Sequence, residues 1–176
     1  MKIPLLDLKA QYLAIRSEID GAIQQVLESG HFVLGPNVQE LEQEVAAYLG
    51  VKHAIGVASG TDALIISLES LGIGAGDEVI LPSYTFFATV EAVLQVGARP
   101  VFVDIEPHTY CLDVQQVTEH LTPQTKAVIP VHLYGHPAPM GPLLELARSH
   151  GLKVIEDNAQ AMGAEYDGGK RTSPRL

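Results

Sequence analysis

The amino-acid sequence predicts an α/β fold in which a mostly parallel sheet is flanked by helices. From residue 53 onward, short apolar segments alternate with segments of helical length, the order typical of β-α-β units. The apolar segments contain few charged residues, as expected of strands that helices cover on both faces. A chain of 176 residues with 47% hydrophobic content can bury one such core.

Two amphipathic helices are predicted ahead of the alternating part. Over residues 11–29, apolar residues recur at every third or fourth position, and Gly30 supplies a stop signal. A second pattern of this kind follows Pro36 and ends at Gly50, because glycine takes the left-handed cap conformation at little cost. Both helices belong to an N-terminal segment that we expect to span residues 1–50.

Strands and helices alternate through the predicted core, residues 51–170. The predicted strands are residues 53–58, 78–81, 100–105, 127–131 and 153–155. The predicted helices are residues 62–71, 86–96, 113–121 and 139–150. Ligands of such sheets collect at the carboxyl ends of the strands, so the residues that follow each strand are the candidates for a site.

Composition and charge exclude several classes of protein. Acidic residues number 21 and basic residues 11, and the resulting formal charge of −10 argues against a nucleic-acid partner. The uncharged stretch 79–90 is too short to cross a membrane and contains Pro82. The start of the chain lacks the pattern of a secretory signal. A single cysteine, Cys111, cannot form an internal disulfide, so a cytoplasmic location is expected.

A turn of small residues, S-G-T-D-A-L, connects the first predicted strand to a helix. Free backbone amides at a helix N-terminus, aided by the helix dipole, suit a phosphate group, and Ser59 and Thr61 can add hydroxyl donors. Ser, Thr and Asp are also ordinary helix caps, so a purely structural role stays open. The glycine fingerprint of a dinucleotide site, G-x-G-x-x-G, is absent.

Aromatic and acidic residues follow two other predicted strands. The aromatics of S-Y-T-F-F-A-T either pack in the core or stack on a planar cofactor. After the last strand, E-D-N-A-Q places carboxylates and an amide where the sheet ends. A carboxylate there either pairs with a protonated ring nitrogen or caps the next turn. His132 has two open interpretations as well, a structural hydrogen bond or a role in the site.

These segments together resemble the DegT/DnrJ/EryC1/StrS aminotransferase family over residues 3–170. The resemblance rests on five motifs in the family's order and spacing, which are S-G-T-D-A-L, G-D-E-V-I-L-P-S-Y-T-F-F-A-T, G-A-R-P-V-F-V-D-I, T-P-Q-T-K-A-V-I-P-V-H-L-Y-G and V-I-E-D-N-A-Q-A. It implies the large domain of the fold-type I enzymes that use pyridoxal 5'-phosphate. The resemblance covers only the N-terminal part of such an enzyme.

The resemblance assigns roles to residues within these motifs. Gly60, Thr61 and Asp62 match the turn that binds the cofactor phosphate, and Phe86 matches the aromatic that lies on the pyridine ring. Asp157 matches the carboxylate that pairs with the ring nitrogen, and Gln160 matches the residue that contacts the ring's 3-hydroxyl oxygen. An ionised carboxylate at that position keeps the ring nitrogen protonated, so that the ring can accept electrons when a Cα proton leaves.

The implied reaction moves an amino group from an amino acid, with glutamate as the expected donor, to a keto group of a nucleotide-linked sugar. In the family the active site is built between two subunits, so a homodimer is expected of the full-length form. No metal is expected.

The end of the sequence departs from the family pattern. The family continues to S-F-x-x-x-K, whose lysine forms the Schiff base with the cofactor, and no residue here matches it. Lys170 precedes the expected position and is not assigned this role, and residues 171–176 are expected to form a tail outside the family pattern. We therefore expect the chain alone to be inactive. The rival hypothesis is an inactive fragment or assembly subunit of a split protein with this fold, and a weaker one is an ordinary nucleotide-binding domain.

Overall fold

The computed structural model describes residues 6–167 and 169–170 of the chain. The predicted tail, 171–176, and the side chain of Lys170 lie outside the described part. The α-helices are α1 Leu8–Ser29, α2 Pro36–Leu49, α3 Gly60–Ser70, α4 Phe87–Gln95, α5 Val114–Glu119 and α6 Met140–His150. The strands are β1 Glu78–Pro82, β2 Arg99–Val103, β3 Thr125–Val128, β4 Lys153–Val154, β5 Glu165–Tyr166 and β6 Gly169–Lys170.

Four of these strands form one parallel sheet, in the spatial order β2-β1-β3-β4. Connections through α4 and α6 carry the chain between neighbouring parallel strands, as the alternating sequence pattern requires. The remaining two strands pair as a short antiparallel hairpin. The predicted fold class, a mostly parallel sheet flanked by helices, is confirmed.

Side chains on both faces of the sheet are buried in two separate clusters. Along β1, Val79 and Leu81 pack in one cluster with Leu68 of α3 and Val93 of α4. The intervening Ile80 packs in the other cluster, which includes residues of α5 and α6 such as Val117 and Leu143. This alternation follows from the two-residue period of a strand, and it produces a three-layer arrangement with helices on both sides.

The strand predicted over residues 53–58 does not form. These residues lie outside any helix or strand, and Ile55 is 79% exposed. Their alternation of small and apolar residues is strand-like, but a strand needs a neighbour to satisfy its backbone N–H and C=O groups. No described strand pairs with them. The prediction was wrong because local sequence reports propensity and not the presence of a partner.

Other predicted elements differ from the observed ones mainly at their ends. The helix predicted to end at Gly50 does so, and Gly50 has φ 68°, the left-handed cap conformation. Strand β3 stops at Val128, earlier than predicted, and the chain continues through an isolated parallel bridge between Val131 and Asp157. The residues beyond the strand ends are therefore extended but loop-like. Among the described residues, no helix is long and apolar enough to span a membrane.

Candidate cofactor-binding site

A cavity of about 440 Å³ lies at the carboxyl ends of the parallel strands. Its walls include five of the six residues that the family resemblance assigns to the cofactor, namely Gly60, Thr61, Phe86, Asp157 and Gln160. They come from the start of α3 and from the loops that follow β1 and β4. The volume falls within the range of about 300–1,000 Å³ that is usual for small-molecule sites.

The start of α3 forms one wall of the cavity. Ser59 is the N-cap, and its side chain accepts a hydrogen bond of 3.0 Å from the Asp62 amide and donates one of 2.9 Å to the Asp62 carboxylate. The amides of Gly60 and Thr61 lie in the first turn, where a helix offers no intrahelical acceptors. Ser59 and Asp62 therefore cap the helix, while Gly60 and Thr61 line the cavity with amides that have no acceptor within the helix. Asp62 does not line the cavity.

Asp157 is held in place by a chain of hydroxyl groups from α4 and the loop before it. The buried Thr89 hydroxyl donates to Asp157 Oδ2 at 2.8 Å, and the Thr85 and Thr89 hydroxyl oxygens are 2.9 Å apart. Because Thr89 has one hydroxyl proton and gives it to Asp157, Thr85 must donate to Thr89. The sequence analysis did not single out these threonines, although their spacing of four residues indicated one helical face.

The carboxylate of Asp157 retains unused acceptor capacity. Its other oxygen accepts a long 3.3 Å hydrogen bond from the Ala159 amide, the contact of a turn cap. A carboxylate can accept about four hydrogen bonds, and these two contacts leave room for a further donor. The backbone of Asp157 is fixed to the Pro130 carbonyl and the His132 amide. Capping is thus present but does not account for the whole environment of this side chain.

Phe86 lies at the mouth of the cavity with 74% of its surface exposed. It precedes the first residue of α4 and has extended backbone angles, which turn it away from the packed face of that helix. Packing in the core is therefore excluded for Phe86. A flat, exposed apolar ring at the mouth of a cavity suits stacking on a planar ligand.

Gln160 is oriented by a backbone hydrogen bond. Its Oε1 atom accepts from the Tyr134 amide at 2.8 Å. Because an amide N–H must meet the oxygen and not the nitrogen of the side chain, this contact decides which way the amide group points. The Nε2 atom and its two protons are then directed away from Tyr134. Gln160 can offer those donors to a ligand oxygen in the cavity.

His132 forms a structural hydrogen-bond network behind the cavity. Its imidazole is almost fully buried, Nδ1 accepts from the Ala138 amide at 3.0 Å, and Nε2 lies 2.8 Å from Glu156 Oε2. Since Nδ1 is an acceptor, the proton must reside on Nε2, which donates to the Glu156 carboxylate. His132 does not line the cavity, whereas Glu156 does. Of the two sequence interpretations, the structure supports the structural one.

The cavity fits a flat anionic ring cofactor. It combines helix-terminal amides, an exposed aromatic ring, a carboxylate and a side-chain amide donor. Asn158 adds a buried Oδ1 atom that has no hydrogen-bond partner within the described residues. A buried acceptor of this kind is costly unless a ligand or water meets it. In the part of the chain that the structure describes, no group of His, Cys, Asp and Glu side chains could hold a metal ion.

The sequence model of the DegT/DnrJ/EryC1/StrS aminotransferase family matches residues 13–173. The chain belongs to this family. Aminotransferases of the family depend on pyridoxal 5'-phosphate, and solved relatives carry its amine form, pyridoxamine phosphate (PMP). The cofactor expected from the sequence is therefore that of the family. The match extends into the predicted tail, and the division of the chain into three segments stays a prediction.

Two curated relatives and one solved structure illustrate the similarity. The UDP-N-acetyl-3-dehydro-alpha-D-glucosamine 3-aminotransferase of Acidithiobacillus ferrooxidans is 52% identical over 166 residues, covering 94% of this chain and 45% of the relative. The dTDP-3-amino-3,4,6-trideoxy-alpha-D-glucose transaminase of Streptomyces venezuelae is 53% identical over 169 residues, covering 95% and 44%. The crystal structure of S. venezuelae DesV in complex with a ketimine intermediate superposes with a TM-score of 0.96 at 50% identity, covering 98% of this chain and 46% of DesV.

The chain thus spans somewhat under half the length of the curated relatives it matches. This share agrees with the expectation that it corresponds to the N-terminal part of such an enzyme. The names of the two relatives denote aminotransferases that act on nucleotide-linked sugars.

Proposed function

We propose that this chain forms the cofactor-binding part of an aminotransferase that moves an amino group from an amino acid, with glutamate as donor, to a keto group of a nucleotide-linked sugar. The observation that carries the proposal is the cavity itself, where residues from α3 and from the ends of β1 and β4 converge. Membership of the family and the substrates named for its relatives support the reaction class. An acidic chain whose single cysteine is buried and unpaired suits the cytoplasm.

Each wall of the cavity has a separate task in this proposal. The amides of Gly60 and Thr61 bind the phosphate, helped by the dipole of α3. The ring of Phe86 covers one face of the pyridine ring. Gln160 Nε2 donates to the 3-oxygen, because its own oxygen is held by Tyr134. Asp62 contributes by holding the first turn of α3 in shape through Ser59.

Asp157 holds the proton on the ring nitrogen. Its carboxylate is oriented by Thr89, which is in turn oriented by Thr85, so one oxygen is fixed and the remaining lone pairs face a defined direction. When bound, the cofactor supplies an electron sink for the Cα–H bond electrons of the amino acid. The residues of this chain would keep the ring nitrogen protonated and the cofactor anchored.

A polypeptide of residues 1–176 is proposed to bind the cofactor without turnover. No lysine side chain lines the cavity within the described residues, and no lysine of the sequence stands in an S-F-x-x-x-K motif. The cofactor is then held by hydrogen bonds and stacking alone. The chain alone is therefore proposed to be inactive. The rival hypothesis, an assembly subunit of a split protein, is compatible with the same site.

The full-length enzyme is proposed to be a homodimer. Helix α1 contains no buried residue, and its apolar residues Ile19, Ile23 and Leu27 are 39%, 55% and 57% exposed. An apolar face of this length is unusual on a monomer and marks an interaction surface.

Calorimetric titration of residues 1–176 with PMP, combined with an assay for transfer from glutamate, tests the proposal. We expect saturable binding, no turnover, and no protein-bound cofactor after borohydride treatment of the complex with pyridoxal phosphate. Absence of PMP binding by a folded chain would contradict the cofactor assignment. Turnover, or a borohydride-stable bond to a lysine, would contradict the proposal that this chain binds the cofactor non-covalently and without turnover.

A further inference from the structure

Three tyrosine side chains lie beside the cavity and do not line it. The hydroxyl oxygens of Tyr84 and Tyr134 are 2.8 Å apart. The ring of Tyr110 has its centroid 6.0 Å from that of Tyr84 and 6.4 Å from that of Tyr134. All three are exposed. We call this group the tyrosine cluster.

The tyrosine cluster borders the cavity. Tyr84 precedes Thr85 and Tyr134 follows Leu133, and both of these neighbours line the cavity. The amide of Tyr134 donates to Gln160, whose side chain belongs to the cavity wall. A molecule that extends out of the cavity past Gln160 therefore meets the tyrosine rings.

Two of the three tyrosines have an uncommon backbone conformation. Tyr110 has φ 59° and Tyr134 has φ 56°, the left-handed region that bulky residues rarely adopt. Tyr110 is held by its amide, which donates to the Glu106 carbonyl at 2.9 Å, while the Glu106 amide donates to the Cys111 carbonyl at 2.9 Å. Strain of this kind persists where surrounding contacts enforce it, and it is concentrated at functional sites.

The chemical character of the tyrosine cluster is aromatic and uncharged. The hydrogen bond that the Tyr134 hydroxyl shares with Tyr84 raises the pKa of Tyr134, so this hydroxyl stays protonated at neutral pH. In the hydroxyl pair one tyrosine donates to the other, which leaves the second proton for a ligand. Flat apolar faces combined with hydroxyl groups match a pyranose ring, which has C–H faces and hydroxyl edges. The cluster offers no positive charge to a diphosphate.

We propose that the tyrosine cluster is the subsite for the hexose ring of the nucleotide-linked sugar. The inference rests on the proposed function, because an acceptor sugar must place its keto carbon next to the cofactor in the cavity. The next portion of that ring then lies over Tyr84, Tyr110 and Tyr134. The nucleotide is bound elsewhere.

The test compares UDP-N-acetylglucosamine, which carries a hexose but no keto group to react, with UDP. Dissociation constants are measured by NMR titration of isotope-labelled tyrosine rings. One variant is the double change Tyr84→Phe with Tyr134→Phe, which removes the hydroxyl pair and keeps the rings. The other is Tyr110→Asn, because asparagine tolerates positive φ and the fold is retained. Tyr12→Phe, on α1, is the matched control.

We expect the wild-type chain to prefer the hexose-bearing ligand over UDP by about three- to tenfold. The preference should disappear in both cluster variants and persist in Tyr12→Phe. Equal affinity of the wild-type chain for the two ligands, or an unchanged preference in both cluster variants, would overturn the proposal. Equal losses for UDP and for the sugar would make the cluster a nucleotide subsite and overturn it too.

A separate titration of each protein with PMP distinguishes failure of the sugar subsite from failure of the proposed function. We expect unchanged PMP affinity in all the tyrosine variants, because none of these side chains lines the cavity. A wild-type chain that binds PMP but shows no hexose preference contradicts only the sugar subsite. A chain that prefers the hexose but fails to bind PMP contradicts the proposed function and leaves the sugar subsite standing.

Discussion

Glu78, at the start of β1, is a buried carboxylate outside the cofactor cavity. It accepts hydrogen bonds from Thr122 at 2.7 Å and from Arg99, its partner in an ion pair. Burial alone raises its pKa, but the bonds from Thr122 and Arg99 outweigh burial and bring the pKa below the ordinary value of 4.5. The ionised form is therefore preferred by the folded chain. Through its hydrogen bond with Thr122, Glu78 connects β1 to the segment before β3.

Glu78→Gln should destabilise the chain in a pH-dependent manner. Because the folded-state pKa is lowered, the carboxylate contributes stability above about pH 4.5, and this contribution is lost as pH falls through the folded-state value. At pH 7 the variant should lose about 1–2 kcal/mol of unfolding free energy, since hydrogen bonds to a charged group are replaced by neutral ones. Urea unfolding between pH 3.5 and 7 measures this. The exposed Glu119→Gln serves as control, and a loss that does not shrink at low pH would contradict the account.

The site residues differ in how well the sequence could reveal them. Asp157 and Phe86 were singled out because their motifs match the family pattern, and both line the cavity. Thr89 was missed, since a buried threonine in a helix has no sequence signature that separates packing from hydrogen bonding. Its contact with Asp157 joins residues 68 positions apart. Such a pair depends on the sheet order, which local patterns do not contain.

Helix α3 combines a structural cap with the predicted phosphate site. Ser59→Ala removes both hydrogen bonds between Ser59 and Asp62. The expected cost is about 1 kcal/mol of stability, together with weaker PMP binding, because the first turn carries the amides of Gly60 and Thr61. Ser70→Ala, which removes a hydrogen bond to the Ser67 carbonyl at the other end of α3, is the control.

Calorimetry with PMP and thermal unfolding of the two variants separates these effects. We expect Ser70→Ala to bind PMP like the wild-type chain. If Ser59→Ala lost stability without losing PMP affinity, the start of α3 would be a cap only, and the phosphate would have to bind elsewhere.

Elements with local stop signals were predicted more accurately than elements that depend on partners. Helices α2 and α6 end before Gly50 and Gly151, both in the left-handed cap conformation, and their predicted ends agree with the structure. The strand predicted at 53–58 failed because its existence depends on a neighbour. A cavity of about 650 Å³ lined by apolar residues such as Val45, Leu49 and Ile155 adjoins the open edge at β4. Sheet edges are set by the whole fold, which short patterns do not report.

The molecule as a whole exposes an apolar face along α1. Ile19 and Ile23 lie on this face, and we expect residues 1–176 to self-associate through it. The double change Ile19→Glu with Ile23→Glu should shift the chain toward monomer and lower the binding of an apolar-surface dye, because charge opposes burial of that face. Light scattering over a concentration series measures the shift.

Ala14→Glu with Gln11→Glu adds the same charge to α1 outside the Ile19 and Ile23 positions and is the control. We expect its self-association to match that of the wild-type chain. A wild-type chain that is monomeric at every concentration, without dye binding, would contradict the proposed interface.

The central claim, that the cavity binds the cofactor through the carboxylate of Asp157, is tested most directly by calorimetric titration of wild-type and Asp157→Asn chains with PMP. The substitution keeps the shape and removes the charge that pairs with the ring nitrogen. A hydrogen bond to a charged group contributes about 1.5–3 kcal/mol, so affinity should fall by about tenfold or more. Asp113→Asn, at the N-cap of α5, should leave affinity unchanged. Equal affinities of the wild-type and Asp157→Asn chains would show that Asp157 is a turn cap and would contradict the claim.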